Sequence, residues 1–346
     1  MIRLMPGTKK SICAIAVVCA IVLTVPIIVQ AAEVSMQSKV GKEMHAEFEN
    51  KVVGKTIGFL PFTMVAPIQK IWWHVMKQEA KALGVKLVMK DPNWNADAQL
   101  QALNAFINEK PDVLIVQNQN LQLLARGLKR AEKAGIYVIQ LNMGSNYMST
   151  GYVGCDWYEI GRMMAAEVIK ECGTGTGKSG KVSIVQGELT SSTSADMTSG
   201  MLETLKKDPA IKVVSNQTCN WDSKKAMEIT TTVIQQHPDL CATMGVWTIF
   251  QAGSAQAVKQ AGKQNQIKVY AWGEGSTMDC DMVKSGVLTK SLNTRADIQA
   301  RDVMRMASFL LQSGLKPGSV HMVCFTNPIW MDKNSKHEEC AEIPTQ

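Results

Sequence analysis

Several stretches of this 346-residue sequence resemble reactive or ligand-holding motifs, but they fail on spacing. The stretch "CGTGTGKSGK" looks like a phosphate-binding loop, yet Cys172 stands where that motif requires glycine. It also runs from a predicted helix into a predicted strand, the reverse of the order that such a loop needs. The five histidines have no spacing typical of a metal site, and the serines of "SSTS" have no recognisable histidine and aspartate partners. We therefore expect no catalytic residues, no metal site and no cofactor.

The stretch "DPNWNADAQ" begins with the alternating oxygen ligands of a calcium loop, at Asp91, Asn93 and Asn95. The glycine and the closing glutamate that such a loop requires are replaced by Ala96 and Ala102. The stretch is therefore predicted to be a turn followed by a helix cap.

One tryptophan stands where a large ring is hard to bury. Trp221, in "TCNWDSKKAM", lies between Asn220 and Asp222, where a β-branched run stops and a helical pattern begins. Asp222 is a typical N-cap residue for that helix. In a doubly wound α/β unit, the residue between a strand and its helix points into the ligand cleft, so Trp221 is predicted to be covered by a ligand there. The alternative is a packing role without ligand contact.

The elements that would position this ring follow a regular order. From Lys55 the sequence alternates between short apolar strands and helical patterns, and the same order begins again at "KVSIVQGE". Such alternation predicts parallel sheets covered by helices on both faces. Two copies of one unit predict an α/β protein of two similar doubly wound parallel-sheet lobes. A ligand would lie in the cleft between them, at the carboxyl ends of the strands.

The amino terminus has the layout of a secretory signal peptide. Arg3, Lys9 and Lys10 precede the apolar run "SICAIAVVCAIVLTVPIIV", and small residues follow in "VQAAE". We predict that residues 1–32 are cleaved and the protein is exported to the periplasm. A retained membrane anchor is the alternative, because the run is about 19 residues long.

The charge of the chain is mildly basic. Its formal net charge is +7, and the three basic residues of the predicted signal peptide account for part of it. No dense stripe of lysine and arginine with interleaved aromatic residues is present, which argues against nucleic acid as a partner.

An exported chain can form disulfides, and an odd number of cysteines leaves at least one unpaired. A helix from Cys155 to Cys172 would hold its ends about 25 Å apart, so these two are not predicted to pair. Parallel strands would likewise separate Cys219 from Cys241. The seven cysteines beyond residue 32 are Cys155, Cys172, Cys219, Cys241, Cys280, Cys324 and Cys340.

The preferred disulfide joins Cys324 to Cys340, because it closes a short loop in an irregular carboxyl-terminal tail. The alternative for the other cysteines is that they are buried free thiols.

The sequence resembles the periplasmic sugar-binding proteins of the ribose and galactose type, which are type I solute receptors of ABC importers. The resemblance covers Lys55 to about Gly314. It rests on "KTIGFLPF…APIQ", "DVLIVQ", "AEKAGIYVIQLN", "GYVGCDWYEIGR", "NWDSKKAMEITTTVIQQHPD" and "SGVLTKSLNT", which follow the order and spacing of that family.

The resemblance implies that the chain crosses between lobes three times, through a three-segment hinge. Residues 54–156 plus 295–323 would form the N-terminal lobe, and residues 157–294 plus 324–346 the C-terminal lobe. It also implies a monomeric receptor that closes on a small solute, performs no chemistry and delivers the solute to an inner-membrane ABC permease. The alternative is a receptor that presents the same closed form to a chemoreceptor or sensor kinase.

The positions that bind ligand in this family have lost most of their charge here. An Asp-Arg pair that clamps sugar hydroxyls is replaced by Asn142 and Met143, and an arginine of the second lobe by Met197. The acidic residue after the last strand matches Gly273, or Glu274 if the loop carries one extra residue, and only Glu274 supplies a carboxylate. The residues that the resemblance implies for ligand binding are Gln69, Asn142, Ser191, Thr193, Met197, Trp221, Trp247, Glu274, Thr294 and Arg295.

The aromatic residues are kept while the charged clamp is largely absent. Trp221 and Trp247 fall at ligand-binding positions, and Trp72 and Trp272 lie nearby in the sequence pattern. We expect a ligand that is less rich in hydroxyls than a hexose, or a small sugar derivative or polyol. Ordinary helix packing is the alternative for Trp72, and a solvated loop position is the alternative for Glu274.

Overall fold

The computed structural model describes residues 38–336 and 340–344, so the predicted signal peptide lies outside the described residues. The first element is helix α1 (Lys39–Val52). Within the described ranges, no helix combines the length and the apolar character that crossing a membrane requires.

The first lobe is built on a six-stranded sheet in which every strand pair is parallel, with strand order β11-β5-β4-β3-β1-β2. Helix α10 belongs to this lobe, although it follows the second lobe in the sequence, and it packs against α2. The elements are β1 (Thr56–Leu60), α2 (Pro67–Leu83), β2 (Lys86–Met89), α3 (Ala96–Glu109), β3 (Val113–Val116), α4 (Ala125–Lys133), β4 (Tyr137–Leu141), β5 (Gly151–Gly154), α10 (Ala296–Ser313) and β11 (Met322–Phe325).

The second lobe repeats this plan, with strand order β12-β10-β9-β8-β6-β7. All of its pairs are parallel except β10 with β12, which is antiparallel. The predicted pair of similar doubly wound lobes is therefore confirmed, with one antiparallel edge strand in addition. The elements are α5 (Trp157–Cys172), β6 (Lys181–Gln186), α6 (Ser192–Leu205), β7 (Lys212–Thr218), α7 (Ser223–Gln236), β8 (Ala242–Trp247), α8 (Thr248–Gln260), β9 (Lys268–Gly273), α9 (Thr277–Lys284), β10 (Lys290–Asn293) and β12 (Ile329–Met331).

The central strands are buried along their whole length. All residues of β3 and of β8 are buried, as expected for parallel strands covered by helices on both faces. Local signals set the two ends of α2. Pro67 occupies its first position, where a main-chain N–H would have no partner within the helix, so the N–H that proline lacks is not missed. Gly84 ends the helix in the left-handed conformation, with φ +68°. These elements hold the carboxyl ends of the strands of both lobes in fixed positions around the cleft.

The chain passes between the sheets three times, and the three crossings lie side by side. The crossings follow β5, β10 and β11. The Cys155 sulfur lies 3.8 Å from the main-chain oxygen of Thr294 and 3.5 Å from that of Thr326, so one side chain contacts all three segments. Strand β11 pairs wholly with the first sheet, and the third crossing therefore comes after Phe325, later than the expected boundary between residues 323 and 324.

The preferred disulfide between Cys324 and Cys340 is wrong. Cys340 is bonded to Cys280 instead, and Cys324 is a free thiol in β11 of the first sheet. The two cysteines are close in sequence, but the third crossing separates them, because Cys340 lies beside α9 of the second lobe.

A second disulfide joins Cys172, at the end of α5, to Cys241, just before β8, with α-carbons 6.0 Å apart. The two disulfides that the sequence argued against, Cys155 with Cys172 and Cys219 with Cys241, do not form. Cys155 and Cys219 are buried free thiols.

Candidate ligand-binding site

A cavity of about 20 Å³ is lined by residues of both lobes. Most of the lining residues directly follow a strand or begin a helix, so the cavity lies at the carboxyl ends of the strands, where a ligand of a doubly wound fold is expected. This volume is far smaller than that of an open ligand pocket, as expected where the two lobes are closed on each other. The lining residues are Phe62, Ile68, Trp94, Gln117, Asn142 and Met143 of the first lobe and Thr193, Trp221, Trp247 and Trp272 of the second.

Trp221 faces this cavity from the turn between β7 and α7. Its φ of +56° lies in the left-handed region, which a bulky residue rarely adopts. Asp222 caps α7 by accepting a hydrogen bond from the Lys225 N–H at 3.0 Å. The indole lies against Gly187, where any β-carbon would overlap the ring. The sequence prediction that Trp221 points into the cleft agrees with this position, and its contact with a ligand is a proposal.

Trp247 and Trp272 form one wall of the cavity. Their rings are nearly parallel, with planes 7° apart and centroids 5.5 Å apart. Trp272 also meets the edge of Trp157 at a centroid distance of 4.6 Å. Trp247 is the last residue of β8 and Trp272 the last but one of β9, and the two are paired across these neighbouring strands.

Glu274 lies behind this wall and does not line the cavity. Its Oε2 accepts a hydrogen bond from the Trp247 indole N–H at 2.6 Å, and the side chain is buried. Burial raises the pKa of Glu274 to about 8, and the nearby Asp279 carboxylate adds to this rise, whereas the Trp247 hydrogen bond opposes it. Burial also raises the pKa of Asp279, although its carboxylate accepts hydrogen bonds from Thr248 and from the Gly275 N–H. At neutral pH the Glu274 carboxyl is mostly protonated.

Asn142 is held in place by a buried network. Its φ is +61°, which asparagine tolerates better than most residues. Its Oδ1 accepts a hydrogen bond from Gln299 Nε2 at 3.3 Å, and its main-chain oxygen accepts one from the Trp157 indole N–H at 2.6 Å. Gln299 Nε2 also donates to the main-chain oxygen of Thr294 at 2.9 Å, so this lining residue is tied to the hinge.

Of the ten residues expected from the resemblance, Asn142, Thr193, Trp221 and Trp247 line the cavity together. Two others lie directly behind lining residues. Gln69 donates to Gln117 Oε1 at 2.8 Å, and the Ser191 hydroxyl is 2.7 Å from that of Thr193. Gln69 and Ser191 therefore support lining side chains and do not line the cavity themselves.

The three remaining residues have packing or hinge positions. Met197 faces α5, where its main chain touches Gly161. The Thr294 hydroxyl donates to the main-chain oxygen of Gly273 at 3.0 Å, and Arg295, with φ +57°, precedes α10. None of the three lines the cavity.

Several lining residues were not expected from the sequence. Trp94 comes from the stretch that resembles a calcium loop, and Phe62 packs on its ring at a centroid distance of 4.5 Å. A signal for Trp94 was present, because "NWN" at residues 93–95 repeats "NWD" at residues 220–222. The other unexpected lining residues are Ile68 and Gln117.

The cavity has no ionic partner for a ligand. None of its lining side chains carries a charge. In the described parts of the chain, no three histidine, cysteine, aspartate or glutamate side chains come together in a way that could hold a metal ion. The chemistry that the lining offers is ring contact with apolar surfaces and hydrogen bonding by amides and a hydroxyl.

Comparison with known proteins agrees with this architecture. The periplasmic binding protein domain matches residues 57–316. The D-allose-binding periplasmic protein of Escherichia coli K12 is 28% identical over 250 residues, which cover 68% of this chain and 79% of that protein. The xylitol-binding protein of Mycolicibacterium smegmatis is 26% identical over 190 residues, covering 54% and 53% of the two chains.

A solved structure of an ABC transporter periplasmic solute-binding protein from Actinobacillus succinogenes, with bound D-allose, superposes with a TM-score of 0.71. It is 21% identical and covers 81% of this chain and 98% of its own, so it supports the fold. Proteins of this kind are receptors for solutes, not enzymes. The chain belongs to the periplasmic binding protein family.

Proposed function

We propose that this protein is the solute-binding component of an ABC importer. It takes a small, uncharged, sugar-like or polyol-like molecule in the cleft between its lobes and delivers it unaltered to an inner-membrane permease. The observation that carries the proposal is the cavity itself, whose lining is shared between two lobes that the chain connects through three adjacent crossings. A ligand that contacts both lobes stabilises the closed form.

The character of the ligand follows from the lining. Indole rings pack well on the C–H faces of a sugar or polyol and orient it at little entropic cost. Trp221 and Trp247 are the rings that we assign to this role, with Asn142 and Thr193 as hydrogen-bonding partners. The relatives that bind D-allose and xylitol support a ligand of this class.

Closure of the cleft also involves direct contact between the lobes. The Leu121 N–H, in the loop after β3, donates to the main-chain oxygen of Thr190, before α6, at 2.9 Å. The Trp157 indole, at the start of α5, donates to the main chain of Asn142 across the first crossing. We propose that the first of these bonds breaks when the cleft opens, and that the second, close to the hinge, persists.

The remaining parts of the proposal concern the state and place of the protein. The mature chain begins after residue 32, acts in the periplasm as a monomer and has no nucleic acid partner. Mass spectrometry of the protein recovered from the periplasm would identify its first residue, and light scattering would give its molar mass. A chain that retains residues 1–32 and remains in the membrane fraction would contradict the proposed export.

Calorimetric titration of the mature protein with D-allose, D-ribose and xylitol tests the function. A ligand of this class is expected to bind, to be recovered unchanged, and to reduce the radius of gyration in X-ray scattering. Trp221→Asn should weaken that binding at least about tenfold, or about 1.4 kcal/mol. Trp73→Ala is the matched control, because Trp73 lies on α2 and lines a different surface cavity. Conversion of the ligand, or binding without compaction, would contradict the proposal.

A further inference from the structure

The turns that carry Trp94 and Trp221 are the same structure built twice. Asn93 and Trp94 have φ values of +50° and +64°, and Asn220 and Trp221 have +50° and +56°. Two consecutive positive φ values are typical of a type I′ turn, which favours glycine, asparagine and aspartate at its centre. Tryptophan is not among these residues, so each lobe holds its ring in a conformation that costs free energy.

The hydrogen bonds around the two turns repeat as well. The Asn95 N–H donates to the Pro92 oxygen at 3.1 Å, and the Asp222 N–H donates to the Cys219 oxygen at 3.1 Å. Asn95 and Asp222 then cap α3 and α7 with a side-chain oxygen each. Both turns also follow the edge strand of their sheet, β2 or β7. The two tryptophans therefore occupy equivalent positions of the two lobes.

Each ring is supported from behind and directed to the same cavity. The main-chain N–H of Trp94 donates to the main-chain oxygen of Phe62 at 2.8 Å, and the indole ring of Trp94 packs on the Phe62 ring. In the second lobe the Trp221 ring lies against Gly187, where a β-carbon would overlap it. Trp94 nevertheless stays 36% exposed, which is unusual for a large ring that other side chains already support.

The polar lining groups are few, and several already have partners, although the Trp272 indole N–H has none within the described residues. The Gln117 amide is bonded to Gln69, and the Thr193 hydroxyl to Ser191. Asn142 Oδ1 accepts from Gln299. A ligand with hydroxyls on every side would leave most of them without partners in a water-excluding site, which costs affinity for each hydroxyl.

We propose that Trp94 is a further ligand-contacting ring, matched to Trp221 in the other lobe, and that the pair selects an uncharged ring compound with hydroxyls confined to one edge. Both faces of such a ligand are apolar and are covered by one tryptophan of each lobe, while the amides and the hydroxyl serve its polar edge. The inference rests on the proposed function and specifies its ligand class.

The test compares two probes that share a six-carbon ring. cis-1,2-Cyclohexanediol has both hydroxyls on one edge, whereas myo-inositol has a hydroxyl on every carbon. Calorimetric titration of the mature protein is expected to give tighter binding of the diol, by about tenfold or more. Tighter or equal binding of myo-inositol, or no binding of the diol at millimolar concentration, would overturn the proposal.

Trp94→Asn removes the ring and suits the backbone, because asparagine tolerates a positive φ. It is expected to weaken diol binding about five- to tenfold, and Trp94→Phe is expected to recover part of that loss. Trp221→Asn is the matched variant in the other lobe. If both rings hold one ligand, the fold-loss of affinity in the double variant should be about threefold smaller than the product of the fold-losses in the two single variants.

The outcomes separate this inference from the proposed function. If Trp221→Asn weakens binding and Trp94→Asn leaves it unchanged, the role of Trp94 is refuted and the receptor function stands. If D-allose, xylitol and the diol all fail to bind and the scattering curve never changes, the receptor function itself fails. Unchanged far-ultraviolet circular dichroism of each variant excludes misfolding as the cause of a loss.

Discussion

Trp247 and Glu274 are joined by a hydrogen bond of 2.6 Å from the indole nitrogen to a carboxyl oxygen that no ligand can reach. Because the Trp247 ring also stacks on Trp272, the aromatic wall of the cavity is tied to a buried acid. The orientation of the wall therefore depends on a group whose pKa in the folded protein is about 8.

Glu274 is expected to make the protein less stable as pH rises. Its pKa is about 8 in the folded protein, compared with a usual value near 4.5, so the folded state holds the proton more tightly than the unfolded chain. The stabilising contribution of the neutral carboxyl is complete below pH 4.5 and is lost as pH rises to about 8, by at most about 1.4 kcal/mol per pH unit. Urea unfolding at a series of pH values across this range measures the slope.

Glu274→Gln is the informative variant for this slope. The amide oxygen can still accept the Trp247 N–H, and the side chain cannot ionise. The loss of stability with pH should become shallower without vanishing, because the pKa of Asp279 is raised as well and Asp279 remains. Equal slopes for the variant and the parent protein would show that Glu274 does not carry the effect.

Gly187→Ala is expected to weaken ligand binding without removing any side chain of the cavity. A β-carbon at Gly187 would overlap the Trp221 ring, so the indole must move from its position in the lining. The affinity should fall by about tenfold, as for loss of the ring. Calorimetry with the best ligand measures it, with Gly144→Ala as the control because a β-carbon there meets only Tyr152, at 3.9 Å. Wild-type affinity of Gly187→Ala would mean that the ring position does not matter.

The lobes and the position of Trp221 could be predicted from the sequence because both follow from local signals. Strand and helix patterns alternate regularly, and a helix cap at Asp222 fixes the residue before it at the end of a strand. The same reasoning applied to Asn95 would have found Trp94, since the two turns share the letters Asn-Trp before the cap.

Two other arrangements could not be predicted in the same way. Ser191 lies behind Thr193 because the first turn of α6 aims only one of the two hydroxyls at the cavity. Cys340 pairs with Cys280 at a sequence separation of 60, which depends on where the tail runs after β12. Neither arrangement leaves a local pattern in the sequence.

Loss of the disulfide between Cys280 and Cys340 should destabilise the protein by about 2–4 kcal/mol, because the bond restricts a long loop of the unfolded chain. Cys280→Ser is expected to lower the midpoint of thermal unfolding and to free one additional thiol for alkylation. Cys324→Ala is the control and should change neither the disulfide nor the stability by a comparable amount. Peptide mapping without reduction that finds Cys340 joined to Cys324 would contradict the structure.

Gln299 is expected to be the most sensitive polar residue of the hinge. Its Nε2 donates to Thr294 and Asn142, and its Oε1 accepts the Trp72 indole N–H at 3.2 Å. Gln299→Leu leaves these buried groups without a partner, which should cost about 1–3 kcal/mol in the free energy of unfolding. Because Asn142 lines the cavity, the variant should also bind ligand more weakly.

The control is Gln312→Leu on the same helix, whose amide bonds only within α10, to Ser308. Denaturant unfolding and calorimetry of both variants separate the two contributions. Because Gln299 contacts the second crossing and the cavity together, its loss should lower both stability and affinity, whereas Gln312→Leu should leave affinity unchanged. Equal effects of the two variants would mean that the Gln299 network does not connect the hinge to the site.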